Sequence, residues 1–118
     1  MAIHFTTTNA QALLKAFDDR ISQVEQKGKI LTWEKSNDGK YYTHKATDWA
    51  KKAWLQPKIE TSQLTFSIIH PNNANVSKLV YAYYHGHLIE TFLSHFDQYF
   101  VNGVASALTE AGDNVAAP

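Results

Sequence analysis

Apolar side chains recur at Leu13, Leu14, Phe17, Ile21 and Val24, with Asp18, Asp19, Arg20, Gln23 and Gln26 filling the opposite side. That spacing predicts an amphipathic helix over about 9–27. Thr8 with Gln11 reads as its capping box, and Gly28 as its stop. In "KILTWEKSNDGKYYTHKA" the period changes to two: Leu31 and Trp33 alternate with Thr32 and Glu34. The "NDGK" turn then leads into Tyr41, Tyr42 and Thr43, so a β-hairpin is predicted over about 29–36 and 40–46.

"TDWAKKAWLQP" reads as a short helix over 47–55, capped by Thr47 or Asp48 and closed before Pro57, with a bent strand as the alternative. Leu64, Phe66 and Ile68 alternate with polar or exchangeable neighbours and predict a half-buried strand. "SKLVYAYY" is apolar or aromatic on both faces and reads as a central strand ended by Gly86. A closing helix is expected from His87 to Phe100, with Asn102–Gly103 as its cap, and the end of the chain, 110–118, is expected to be loose. The order α-β-β-α-β-β-α implies an α+β fold. Its two long helices would lie on one face of a small, mostly antiparallel four-stranded sheet, within a single domain spanning 1–118.

Composition narrows the function classes. With 118 residues and 44% hydrophobic content the chain can build one core. It has no cysteine, which removes disulfides, thiolate metal sites and cysteine nucleophiles. No run is long and apolar enough to span a bilayer, and the start of the chain lacks signal-peptide character, so a cytoplasmic location is expected. "NVS" at Asn75–Ser77 is then an idle glycosylation triplet.

The formal net charge is zero but unevenly spread: +5 over residues 27–58, −1 before them and −4 after them. A basic middle and an acidic second half suit an acidic protein partner or a second copy of the chain.

Two stretches carry candidate chemistry. The first is "YAYYHGHLIETFLSHFDQYF". His85, His87 and Glu90 are residue types that could hold a divalent ion or act as acid and base. A junction at Gly86 would turn the two histidines apart, and no His-Glu-x-x-His occurs. The plainer reading is a core helix with Leu88, Ile89, Phe92, Leu93, Phe96, Tyr99 and Phe100 inward and its polar side wet; no metal or cofactor is expected.

The second stretch interleaves Trp33, Tyr41, Tyr42, Trp49 and Trp54 with lysines that include Lys40, Lys51 and Lys52. Aromatic platforms beside cations suit single-stranded nucleic acid. A single arginine, Arg20, and zero net charge speak against that use. Tryptophan and tyrosine are also favoured anchors of protein interfaces. The expectation is therefore a non-catalytic protein-interaction module that associates with itself or another protein through this surface. Nucleic-acid binding is the alternative, and a small enzyme or metal site at His85, His87 and Glu90 the second alternative.

Overall fold

The computed structural model describes residues 1–117. Along the chain these form β1 (Ile3–Thr6), α1 (Ala10–Ser22), β2 (Trp33–Lys35), β3 (Tyr42–His44), β4 (Trp54–Ile59), β5 (Gln63–Ile69), α2 (Lys78–Phe96) and β6 (Asn102–Ala105). The strands make one antiparallel sheet in the order β2-β3-β4-β5-β1-β6. The class is α+β; the expected four strands are six.

Register sets the two faces. Ile3 lies opposite Phe66 and Phe5 opposite Leu64, while Leu55 pairs with Ile68 and Trp33 with His44. Strand side chains alternate between faces, so these apolar residues share one side. Phe17 of α1 and Phe92 of α2 both meet Phe66 edge-on, at ring-centroid distances of 6.1 and 5.7 Å, which puts both helices over that side. Phe92 also stacks on Phe5 at 4.3 Å. Tyr84, Leu88, Phe92 and Phe96 follow at four-residue spacing and form the buried stripe of α2; Leu13 and Phe17 do the same for α1. Each such side chain contributes about 1.5–3 kcal/mol by leaving water.

Several expectations are corrected. Asn9, not Thr8, caps α1, its side chain accepting from the Ala12 N–H at 3.0 Å, and the helix ends at Ser22 instead of 27. The hairpin exists but is shorter, as β2 and β3. Residues 47–55 form no helix: turns occupy 47–51, and β4 begins at Trp54. Pro57 sits inside β4 without penalty. Glu60 N–H donates to Gln63 O at 3.0 Å, and antiparallel alternation from that pair turns the nitrogen of residue 57 away from β5. β3 pairs with β4 only at Tyr42–Leu55, so no neighbouring strand lacks a donor there.

"SKLVYAYY" is no strand. It is the first part of α2, capped by Ser77, whose hydroxyl accepts from Val80 N–H at 3.1 Å. Gly86 lies mid-helix on an exposed side, where an added Cβ would meet nothing. Leu93 and Tyr99, expected inward, are exposed.

Asn102 and Gly103 belong to β6 instead of a helix cap. A Cβ on Gly103 would come within 2.9 Å of the Phe5 ring, so glycine is needed for this close approach. Residues 110–117 are tied down as a strap: Asn114 N–H donates to Ile68 O at 2.9 Å, and His70 N–H to Asn114 O at 2.7 Å. Pro118, in the segment expected to be loose, lies outside the described residues.

Candidate functional site

The strap leaves part of the sheet's second face open. At the β3–β4 end of that face lies a groove of about 640 Å³, lined by Ser36, Tyr41, Lys51, Trp54, Ile69, His70, Pro71, Asn72 and Asn73. Trp54 and Ile69 are directly opposite residues of β4 and β5, and so share a face. Tyr41 enters from the turn side of the hairpin, and His70–Asn73 from the loop after β5. Three residues singled out in the sequence therefore meet here: Tyr41, Lys51 and Trp54.

Lys51 is the unusual member. Its φ is 60°, in the left-handed region that non-glycine residues seldom adopt, and it alone among the described non-glycine residues does so. Its neighbours hold it there. Lys51 N–H donates to Thr43 Oγ1 at 3.0 Å, and Thr43 Oγ1 donates to the Ala53 carbonyl at 2.9 Å. The Tyr84 hydroxyl lies 3.1 Å from the same Thr43 oxygen and bonds the Trp49 carbonyl. A buried hydroxyl pair from β3 and α2 thus fixes the loop that carries a cation to an aromatic groove. Strained backbone held by its surroundings is commonest where a side chain must be aimed.

The remaining aromatic candidates are placed elsewhere. Trp33 is fully buried, its indole N–H donating to Thr91 Oγ1. Tyr42 is also buried, beside Phe17, with its hydroxyl on Asp18. Burial and then the Asp18 carboxylate push its phenol pKa up. Trp49 stacks on Tyr83 at 3.8 Å, and Tyr83 on His87 at 4.1 Å, forming a column along α2. Lys40 and Lys52 are exposed and do not line the groove. A smaller depression adjoins it, sharing Ser36, Lys51 and Trp54 and adding Glu34, Lys35 and Asp38.

His85, His87 and Glu90 do not converge. Two positions apart on a helix turn through about 200°, so the histidines leave α2 on opposite sides. His85 is buried and its Nε2–H donates to the Met1 carbonyl, while Glu90 is exposed. His87 Nδ1 instead meets His44 Nε2 at 3.1 Å. Among the described residues no group of three His, Asp or Glu side chains is arranged to hold a metal ion.

The His44–His87 pair was missed because its members lie far apart in sequence. So was a second constellation on the open face. His4 Nδ1 lies 2.9 Å from Thr65 Oγ1, and His4 Nε2 lies 2.8 Å from Glu110. Thr65 Oγ1 in turn donates to Glu60 at 2.9 Å. A carboxylate–imidazole–hydroxyl row resembles a nucleophile's support. Here the hydroxyl has a carboxylate for its proton, and Thr65 is nearly buried in mid-strand. The row ties β1, β5 and the strap together. No protein-family model, curated protein or solved structure matches this chain.

Proposed function

We propose that this chain is a non-catalytic protein-interaction module whose groove takes a short extended segment of a protein partner. That segment would carry an apolar or aromatic side chain beside an acidic one. The observation that carries the reading is the convergence of Tyr41, Trp54 and Lys51 on one groove, with Lys51 held at φ 60° to reach it. Tyr41, Trp54, Ile69 and Pro71 supply apolar walls, Ser36, Asn72 and Asn73 supply polar groups for a backbone, and Lys51 supplies the charge partner.

Single-stranded nucleic acid fits less well. Burial of Trp33 and Tyr42 leaves two aromatic residues on this groove, where a strand needs successive stacking platforms. The adjoining depression is no cationic track for phosphates, since Glu34 and Asp38 offset Lys35 and Lys51 there.

The test is selection from a random peptide library on the immobilised protein. Binders are expected to pair an acidic with an aromatic or aliphatic residue, to survive moderate salt, and to be lost on Trp54→Ala and on Lys51→Glu. A mixed-sequence oligonucleotide that binds more tightly than any selected peptide, with affinity falling steeply as salt rises, would replace this reading with the nucleic-acid one.

A further inference from the structure

We infer that the edge of β6 is a self-pairing surface: two copies of this chain join β6 to β6 about a twofold axis through Val104, making one continuous sheet. β6 is the outer strand of its sheet. Ser106 N–H donates to Ala2 O at 2.9 Å. Alternation from that pair gives the backbone groups of Val104 and Asn102 to β1 and turns those of Gly103 and Ala105 outward. An outer strand with free N–H and C=O groups is a template for another strand, and natural edges guard it with charge, proline or cover.

This edge has none of those guards. Residues 98–109, "QYFVNGVASALT", contain no charged residue and no proline. The same run holds Tyr99 (53% exposed), Val101 (78%), Val104 (55%) and Leu108 (78%), four of the most exposed large apolar side chains. The other outer strand is guarded: β2 has three residues, and Glu34 and Lys35 are two of them.

Among the twofold registers that pair outward-facing residues, the one centred on Val104 sets that exposed side chain against its own copy. In an antiparallel pair centred on Val104, Gly103 of one copy faces Ala105 of the other, and the reverse. Both residues present their N–H and C=O outward, so each pair exchanges two backbone hydrogen bonds. Val104 meets its own copy as a non-hydrogen-bonded pair, where side chains approach closely. Val101 and Ala107–Leu108 lie in bends just outside β6, so the new ladder itself spans 102–105 and the exposed Val101 and Leu108 side chains flank it. The short, charged β2 edges stay outside, so assembly closes at two copies. This inference does not rest on the groove, which lies on the far side of the sheet.

The chain's lack of cysteine makes the register directly testable. A single Val104→Cys substitution is expected to oxidise quickly to a disulfide-linked dimer, because cross-strand Cβ atoms at a non-hydrogen-bonded pair lie near bonding distance. Val24→Cys, exposed just after α1, should not. Sedimentation across a concentration series should show a monomer–dimer equilibrium that survives moderate salt. Val104→Glu, which sets two carboxylates against each other, and Ala105→Pro, which removes an outward N–H, should each give a folded monomer by thermal melting. Trp54→Ala should leave the dimer intact. A wild-type chain that stays monomeric at every concentration would overturn the inference. So would a dimer unaffected by Val104→Glu and Ala105→Pro, or cross-linking no faster at Val104→Cys than at Val24→Cys.

Discussion

The indole N–H of Trp33 in β2 donates to Thr91 Oγ1 in α2 at 3.0 Å, and Thr91 donates onward to the His87 carbonyl at 2.8 Å. Both side chains are buried, so this short relay fixes the β2 edge of the sheet to the middle of α2 without water. It also explains why Trp33 is unavailable as a surface anchor: its apolar body and its polar tip are both satisfied inside.

Thr91→Val keeps the shape but strands the indole donor. An unsatisfied buried donor costs about 1–3 kcal/mol. Urea unfolding should show that loss with an unchanged slope. A difference of a few tenths of a kcal/mol would mean that water reaches the indole.

Phe92 touches more of the core than any sequence pattern reveals. It stacks on Phe5 and meets Phe17, Phe66 and Phe96 at centroid distances of 5.0, 5.7 and 5.2 Å. Phe92→Ala should cost about 3–5 kcal/mol, by lost transfer energy plus the cavity left between sheet and helices. Denaturant midpoints for the variant and wild type measure it directly.

Three histidines make stability depend on pH. Burial lowers the pKa of His85, whose Nδ1 has no hydrogen-bond partner among the described residues; the charged groups facing it are the Met1 ammonium and Asp113. Burial and then His87 lower that of His44, and burial and then Arg20 that of His95. A histidine with a lowered folded pKa binds fewer protons in the native state than in the unfolded one. Its contribution is therefore complete above the unfolded value of about 6.5 and is lost as pH falls below it. Unfolding midpoints should drop between about pH 7 and 5, and His85→Gln should flatten part of that drop. Glu60 and Glu110, lowered first by Gln63 and by His4 respectively, act in a more acidic window, below about 4.5. A flat profile from 7 to 5 would show that all three histidines titrate alike folded and unfolded.

How much of this was legible beforehand depended on how local each signal is. α1 follows from periodicity alone, because it has one wet and one dry side; β5 follows from the alternation of Leu64, Phe66 and Ile68, but it is not the half-buried strand expected, since Thr65 and Ser67 on its second face are buried too. α2 did not, because its first turns are covered from several directions. Tyr84 and His85 are buried next to each other, and Tyr81 and Tyr83 pack against the core from either side. A helix apolar on most sides has the same local look as a central strand. β1 and β6 have four residues each, and partners that only the tertiary fold supplies. Within the groove, Tyr41, Lys51 and Trp54 were recognisable by residue type. His70 and Asn72–Asn73 were not, since the loop that carries them after β5 meets Trp54 only once β4 and β5 have paired.

The strap supplies the last prediction. Residues 110–117 cross the open face, and three contacts hold them to β5 and β1. Asp113 Oδ1 accepts from Ile68 N–H at 2.9 Å, Asn114 bridges Ile68 and His70, and Glu110 pairs with His4. Gly112 sits at the tightest point. Its φ is 101°, which other residues adopt only under strain, and an added Cβ would come within 2.8 Å of Ser67 Oγ. Both penalties fall on the strap, because Ser67 belongs to a strand paired on both sides. Gly112→Ala should therefore loosen the strap before it disturbs the sheet, at a cost of about 1–3 kcal/mol. Hydrogen exchange separates the two levels. The His70 and Asn114 amides, which hold strap to sheet, should lose protection, while amides within the β1–β5 ladder keep theirs. Equal loss at both would mean that strap and sheet open as one unit.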